Sequence, residues 1–442
     1  MPASTLTALA AGKSPALDTG DTAWLLAATA LVLLMTPGLA LFYGGMVRTK
    51  SVLNMLMMSF VSIALVTVVW LVAGYSLAFG DDAFAGLIGG LAHAGMAGIG
   101  PGSVTGTVPT FLFTTFQLTF AIITAALISG SVADRTKFGA WLVFVPVWAL
   151  LVYVPVAHWV WGPGGWIGQR LGTLDFAGGL VVEIASGASG LALCLVIGPR
   201  IGFKKDAMRP HNLPMVLMGA GLLWFGWLGF NGGSAFAANG LAAASLLNTL
   251  VAGCTGLLGW LFVEQVRDGH PTTFGAASGA VAGLVAITPA CGVVGVVGAA
   301  AVGLVAGVVC SYAVAWKFKL NYDDSLDVVG VHFVGGVVGT VLIGLFATKT
   351  MTGSSAKEGL FYGGGPGQLG KQLLAVAAVA AYTFLVTYGI GKAIDKLMGL
   401  RASAEDEMTG LDQTAHAETA YDHGVLGHGA PLPVPVSGKV AP

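Results

Sequence analysis

The chain has 442 residues, of which 55% are hydrophobic and only 9% are charged. A soluble domain carries about 25% charged residues, so this composition excludes a soluble globular protein and indicates an integral membrane protein. The net charge of −1 leaves no basic footprint for nucleic acid, and the four cysteines show no metal-ligand spacing. We therefore expect a lipid-embedded protein without a metal site, a cofactor or a nucleic-acid partner.

Eleven apolar runs are long enough to cross a bilayer, which takes about 20 residues in a helix. Pro37, Pro146 and Pro155 fall inside such runs, and we expect packed neighbours to satisfy the backbone groups that they free. Glycines four residues apart, such as Gly303 and Gly307, predict closely packed helices. The runs are 22–45, 54–79, 109–132, 139–161, 175–198, 214–237, 241–264, 272–290, 292–316, 326–347 and 372–394.

Lysine and arginine residues concentrate in alternate loops, beginning with the loop after the first run. The positive-inside rule places these loops in the cytoplasm, so the N-terminus is predicted outside and the C-terminus inside. The cations in these loops are Arg48, Lys50, Arg135, Lys137, Arg200, Lys204, Lys205, Arg209, Arg267, Lys317 and Lys319. The predicted fold is an all-α membrane protein with eleven transmembrane helices. If helices one to five resemble helices six to ten, the two halves must be inverted, as in many transporters, with a final helix added.

Composition divides the chain into three segments. Residues 1–21 form a predicted outer N-terminal segment, and residues 22–398 form the transmembrane domain. Residues 399–442 are polar and acidic and then proline-rich, which predicts a cytoplasmic tail whose last ~20 residues are disordered. Such a tail is a candidate surface for a regulatory partner.

Ionisable side chains inside the predicted spans are few, and such groups are costly in lipid and usually functional. Glu183 lies about 12 Å along its helix from Asp175, which excludes a capping role and requires a neutral, paired or hydrated carboxyl group. His332 is the second such group, and the two are predicted to share a proton. Asp175 and Asp327 each begin a helix, where a carboxylate is favourable, whereas His158 is expected to be a satisfied polar group near the interface.

Aromatic residues supply further candidates for a binding site. The string TFQLTFAII puts Phe116 and Phe120 on one helix face, VAHWVWGPGG puts Trp161 at an outer helix end, and GWLGFNGGSA puts Phe230 near Ser234. Rings of this kind ordinarily pack helices or anchor them at the membrane interface. A Trp, a Phe and a hydroxyl can also bind a small cation, because ring faces attract it and the hydroxyl accepts a hydrogen bond.

Together these strings resemble the ammonium transporter (Amt/Mep/Rh) family over about residues 22 to 421. The resemblance implies eleven helices with the N-terminus outside, a homotrimer, and one conduction path through each subunit. It also implies a multi-pass protein of a prokaryotic inner membrane that takes up ammonium, with methylammonium as a further candidate substrate. The strings are PGLALFYGG, DFAGGLVVE, RPHNLPMV, GWLGFNGGSA, ITPACG, DVVGVHFVGG and GLDQTAHAETAY.

The resemblance assigns roles to the residues at the outer end. Phe120, Trp161 and Ser234 match an outer ammonium-recruitment site. Phe120 and Phe230 match two rings that stack across the pore entrance and form a gate. Asp175 matches an acid that supports this site without lining the pore.

The resemblance also assigns roles deeper in the membrane. His332 matches one of two paired histidines in the pore. At the position where most of the family has the other histidine, this chain has Glu183. The same exchange occurs in a subset of the family, including fungal members. Asp327 is expected to support the pair. Phe42, Tyr43 and Trp227 match the family's aromatic residues in the wall of the pore. The implied mechanism recruits ammonium, deprotonates it near the gate and conducts ammonia, with separate proton transfer along Glu183 and His332.

Other interpretations stay open. A potassium-type or other monovalent-cation channel would use a carbonyl filter of the TVGYG type, and no such string occurs here. An intramembrane serine protease could use Ser189 of GASG, with His332 as base, although chance matches are expected among 67 glycines. An ammonium sensor could signal through the tail, and a PII-type regulatory protein could dock there. A transporter that is not an enzyme is the prediction we follow.

Overall fold

The computed structural model describes residues 16–354 and 357–421 and is mostly helical. Within this part of the chain, ten helices are long and apolar enough to cross a membrane, and an eleventh is apolar but shorter. In chain order they are α1 (Thr19–Met46), α2 (Thr49–Phe79), α3 (Thr110–Val132), α4 (Phe138–Leu171), α5 (Gly179–Ile197), α6 (Leu213–Gly233), α7 (Gly240–Asp268), the shorter α8 (Thr273–Ile287), α9 (Val296–Leu320), α10 (Val329–Phe346) and α11 (Gly367–Met398). Each predicted run coincides with one helix, which confirms the all-α membrane fold.

The predicted end segments are only partly covered. The described chain enters the N-terminal segment 1–21 at residue 16, and in the tail 399–442 it stops at Tyr421. The prediction of disorder for the last ~20 residues therefore lies outside the described residues.

Several helices contain π turns, in which the backbone makes an extra-wide turn. Such turns are rare and often occur at functional sites. They are Trp70–Gly74, Ala149–Tyr153, Trp166–Leu171, Gly179–Ile184 and Val329–Phe333. The last two contain Glu183 and His332, so α5 and α10 both begin with a π turn that carries a titratable side chain.

The helix contacts agree with a repeat of five helices. Contacts between α1 and α6, the first helices of the two predicted repeats, are the most extensive of any pair in the described chain. The fifth helices of the two repeats, α5 and α10, also contact each other through their π turns. Glu183 and His332 therefore meet at a contact between the two predicted halves.

The proline in the second half of α4 shows how a neighbour satisfies a freed backbone group. Pro155 has no N–H, so the carbonyl of Leu151, four residues earlier, lacks its helical donor. The hydroxyl of Tyr382 on α11 donates to this carbonyl at 2.7 Å. The expectation that packed neighbours compensate for prolines is confirmed at this position.

Glycines bring α7, α8 and α9 into close contact. A Cβ added at Gly307 would collide with the carbonyl oxygen of Gly256, and one at Gly283 would collide with that of Ala252. Small residues let helix backbones approach in this way, as the four-residue spacing predicts.

Short elements close both ends of the bundle. The loop between α2 and α3 contains the antiparallel strands β1 (Val104–Thr105) and β2 (Val108–Pro109). At the other end lie the tail helices α12 (Ala404–Thr409) and α13 (Leu411–His416). Glu407 of α12 accepts from the backbone N–H of Ile201 at 2.6 Å and pairs with Arg401 at 2.7 Å. Asp412 of α13 accepts from the backbone N–H of Asn54, near the start of α2, at 2.8 Å, so the tail is bound to one loop and to one transmembrane helix.

Candidate functional site

The two buried titratable groups of the membrane interior form a direct pair. Oε2 of Glu183 lies 2.7 Å from Nδ1 of His332, and the two side chains are only 1% and 5% exposed. A Cβ at Gly336 would lie 2.8 Å from Cβ of Glu183, so a glycine on α10 leaves the space that the glutamate occupies. The separation is that of a short hydrogen bond between a carboxyl oxygen and an imidazole nitrogen.

This pair lines a narrow cavity of about 10 Å³ in the centre of the bundle. Among the described residues that line it, Glu183 and His332 are the only ionisable ones. The other lining residues are Met35, Leu39, Phe42, Ile123, Leu127, Val182, Leu223, Trp227, Phe230 and Val281. The volume is close to that needed for a single water-sized molecule, and the wall is otherwise apolar.

Two stacked rings lie beside the cavity, one of them in its wall. The rings of Phe120 on α3 and Phe230 on α6 lie 3.9 Å apart between centroids at an angle of 23°. Phe230 lines the cavity, and Phe120 lies against Trp161 on its other side, at 6.0 Å and 83°. The three aromatic residues predicted for the outer end are therefore brought together.

Ser234 lies one helical turn after Phe230, directly after the end of α6. Its hydroxyl donates to the carbonyl of Phe230 at 2.8 Å, and the residue is 7% exposed. The oxygen can still accept a hydrogen bond, because donation uses only its hydrogen. The position suits a group that would accept from an ammonium ion above the gate.

Asp175 connects the outer ring to the helix that carries Glu183. Its carboxylate accepts from the backbone N–H groups of Gly178, Gly179 and Leu180 at 2.7 to 2.8 Å, and thereby caps the start of α5. Its carbonyl accepts from Nε1 of Trp161 at 3.0 Å. Both carboxylate oxygens accept from the backbone at the start of α5, so Asp175 fixes this end of the helix.

The predicted wall aromatics occupy two different environments. Phe42 and Trp227 line the cavity, and Nε1 of Trp227 donates to the hydroxyl of Thr288 at 2.8 Å. Tyr43 is buried behind the wall, where its hydroxyl donates to the carbonyl of Leu127 at 3.0 Å. Tyr43 therefore supports the wall and does not line the cavity.

The expected capping role of Asp327 is wrong. Its carboxylate pairs with Nζ of Lys317 at 2.6 Å, whereas the carboxylate of Asp324 accepts from the N–H of Val329 at 2.7 Å and caps α10. Asp324 precedes His332 by eight residues, the spacing that separates Asp175 from Glu183. The equal spacing is a signal in the sequence that indicates Asp324 as the cap, although Asp327 is nearer to the start of the helix.

Two other candidates have structural partners. The ring of His158 is fully buried, and its Nδ1 contacts the carbonyl of Ala78 at 3.0 Å. Its Nε2 has no hydrogen-bond partner among the described residues and lies 3.7 Å from the carboxylate of Asp82, so the expectation of a satisfied polar group holds for one ring nitrogen only. The hydroxyl of Ser189 contacts Trp148 and Thr387 at 2.8 and 2.9 Å. Neither partner is a base, so this serine does not form the pair that a serine protease needs.

The comparison with known families agrees with this geometry. A model of the Ammonium Transporter Family matches residues 23–421. The chain belongs to the ammonium transporter family. The match begins within α1 and includes the ten other helices and both tail helices, so the stacked rings, the buried pair and the cavity all lie within the matched region.

Individual relatives extend over almost the same length. An ammonium transporter of Mycobacterium tuberculosis is 53% identical and covers 94% of this chain and 93% of its own. The crystal structure of Mep2 from Saccharomyces cerevisiae is 37% identical, with a TM-score of 0.80 and 88% of each chain covered. A solved structure entitled Sensor Amt Protein is 28% identical, with a TM-score of 0.83, and covers 90% of this chain and 98% of that one.

Proposed function

We propose that this protein transports ammonium by recruiting the cation above the Phe120–Phe230 gate and conducting ammonia through the apolar cavity below it. Membership of the ammonium transporter family supports the substrate. The observation that carries the mechanism is the contact of Glu183 with His332 in the wall of an otherwise apolar, water-sized cavity. The recruitment site would consist of Phe120, Trp161 and Ser234.

The apolar wall discriminates between the two forms of the substrate. An ammonium ion that leaves water for a low-dielectric passage loses several kcal/mol or more unless charged or polar partners replace its hydration. Ammonia carries no net charge and loses far less. The substrate therefore gives up its proton near the gate and crosses the cavity as the neutral amine.

The buried pair offers the released proton a route. A carboxylate and an imidazole in hydrogen-bond contact exchange a proton within one short bond, and the pair can accept a proton on one side and release it on the other. The supporting observation is the 2.7 Å separation in a wall without other ionisable groups. Ammonia and the proton then cross along adjacent paths, and the transport carries charge.

Ammonium-evoked currents on proteoliposomes test this mechanism. We expect the double variant Glu183→Gln, His332→Ala to lose the current or to pass potassium unselectively, because no group is left to exchange the proton. The exposed acid of Glu405, changed to Gln in the tail, is the matched control and should leave the current unchanged. An unchanged ammonium current in the double variant would refute the proton route.

The assembly and the membrane location are further parts of this proposal. We infer a homotrimer in a prokaryotic inner membrane, with the N-terminus outside and the tail inside, from the family membership and the alternating loop charges. Crosslinking of the protein in its membrane and protease access to either end test the stoichiometry and the orientation. A monomer, or a tail that is cleaved from outside, would contradict them.

A sensor is the second candidate function, and the bound tail favours it. The tail helix α12 is held to the loop between α5 and α6 through Glu407, and α13 is held to the start of α2 through Asp412. A signal, or a PII-type regulatory protein, could act through this contact. Ammonium currents of the full chain and of a variant without residues 403–421 separate the two functions. A transporter carries the current in both forms. A protein that only senses carries no current in either form.

A further inference from the structure

The turn after α6 contains a phenylalanine in a backbone conformation that normally requires glycine. Phe236 has a φ of 53°, in the left-handed region that side chains other than Gly and Asn rarely adopt. At other helix ends this conformation is adopted by Gly172, Gly269 and Asn321, and by Ala417 in the tail. A residue held in such a conformation is maintained by its surroundings and is often part of a functional site.

The ring of Phe236 connects this turn to the helix of the gate. It lies 5.3 Å from the ring of Phe113 and 5.5 Å, edge to face, from that of Phe116. Phe116 in turn lies 4.9 Å from Phe120. Phe113, Phe116 and Phe120 are spaced by three and four residues, so they share one face of α3.

The same turn carries Ser234, and it is anchored on both sides. A Cβ at Gly233 would lie 2.8 Å from the ring of Phe116, so this ring is confined between the end of α6 and Phe236. On the other side, the N–H of Ala238 donates to Asp21 of α1 at 2.8 Å. Phe236 therefore contacts Phe116 from the turn that carries Ser234, and Phe116 in turn contacts Phe120.

We propose that Phe236 is a positioning residue that sets the size of amine accepted at the outer site. Its ring fixes Phe116, and through it Phe120, relative to Ser234. This inference rests on the proposed function, because it assigns amine selectivity to the same outer site. Without the ring, Phe116 and Phe120 gain room to move, and the site loses its close fit to the smallest amine.

The test compares ammonium with methylammonium in Phe236→Ala. We expect the apparent KM for ammonium to rise about tenfold and that for methylammonium to change by less than about threefold, with the maximal current within about threefold of wild type. Phe236→Gly removes the ring and also relieves the backbone, so it should fold at least as well as Ala and show the same loss of selectivity. Phe236→Tyr keeps the ring and should keep the wild-type ratio.

A change confined to stability would give a different pattern. If Phe236→Gly restores the wild-type ratio of the two KM values, or if Phe236→Ala changes both by the same factor, the ring has no role in selectivity and the proposal is overturned. Phe111→Ala, on the exposed face of α3, is the control and should change neither value.

Amine-dependent thermal shifts of the purified variants measure binding independently of transport. A wild-type protein that binds both amines but carries no current would refute the proposed transport. The ratio of its affinities for ammonium and methylammonium, compared with that of the Phe236 variants, would still decide the role of Phe236.

Discussion

Oε2 of Glu183 and Nδ1 of His332 lie 2.7 Å apart at the contact between the two π turns that begin α5 and α10. A π turn shifts the register of a helix by one residue and thereby changes the direction in which a side chain points. Both side chains line the same cavity, although they lie 149 residues apart in the chain. The pair is therefore a product of the repeated architecture and not of a local motif.

Replacement of Glu183 separates the shape of this residue from its ability to exchange a proton. Glu183→Gln keeps the shape and can still accept a hydrogen bond from His332, but it cannot release or take up a proton near neutral pH. Glu183→His changes the shape but restores a titratable group. We expect the Gln variant to lose about a hundredfold in ammonium-evoked current and the His variant to keep most of it.

Currents on solid-supported proteoliposomes across a pH series measure both variants under the same ammonium pulses. Uptake of labelled methylammonium gives a second readout that does not depend on charge movement. If Gln conducts as well as Glu while His does not, shape decides and proton exchange through this residue is refuted.

Ser234 tests the outer site without disturbing the pair. We expect Ser234→Leu to raise the apparent KM for ammonium about tenfold, because the leucine removes the accepting oxygen and fills the space above the gate. The maximal current should change much less. The control is Thr115→Leu, because the hydroxyl of Thr115 also donates to a carbonyl four residues earlier but lies on the exposed face of α3. Equal effects of the two changes, or an unaltered KM in Ser234→Leu, would contradict this site assignment.

The helices could be predicted from the sequence because lipid imposes a simple length rule on apolar runs. The eleven runs differ from the observed helices mainly at their ends. The run 175–198, for example, begins four residues before α5, since Asp175 lies outside the helix and caps it. The long final helix continues past residue 394 to Met398, beyond the apolar part that the run detects.

The site could be predicted only in part. Composition and spacing identified Glu183 and His332 as costly groups in lipid, and the resemblance to the family added the aromatic gate. The π turns, the hydroxyl of Thr288 on Trp227 and the left-handed turn at Phe236 leave no periodic pattern, because each depends on contacts between distant helices. Asp324, the carboxylate that caps α10, does leave a signal in the sequence, because it precedes His332 by the eight residues that separate Asp175 from Glu183.

Asp324 gives the protein a predicted pH dependence of stability. Burial, followed by the nearby carboxylate of Asp327, raises the pKa of Asp324 to about 6. An unfolded Asp has a pKa near 3.9, so the folded protein binds the proton more tightly than the unfolded chain does. The proton on Asp324 therefore stabilises the folded protein fully below about pH 4. This contribution to the free energy of unfolding, about 3 kcal/mol, is lost as the pH rises to about 6.

Thermal unfolding in detergent between pH 4 and pH 7 tests this dependence. Asp324→Asn keeps an oxygen that can accept from Val329 but cannot ionise, so its stability should fall less than that of wild type over this range. Glu418→Gln, an exposed carboxyl in the tail, should follow the wild-type curve. Parallel curves for wild type and Asp324→Asn would show that this carboxyl does not control the slope.

Tyr382 provides a test of how the bundle tolerates a proline in the membrane. Its hydroxyl donates to the carbonyl of Leu151, which has lost its helical partner at Pro155. In lipid no water replaces a lost donor, so we expect Tyr382→Phe to destabilise the protein by about 1 kcal/mol, with a lower unfolding temperature in detergent or lipid nanodiscs. Tyr388→Phe on the same helix is the matched control and should cost much less. A double variant in which Pro155→Ala restores the N–H should make the Tyr382→Phe change nearly neutral, and full additivity of the two changes would refute the compensating role of this hydroxyl.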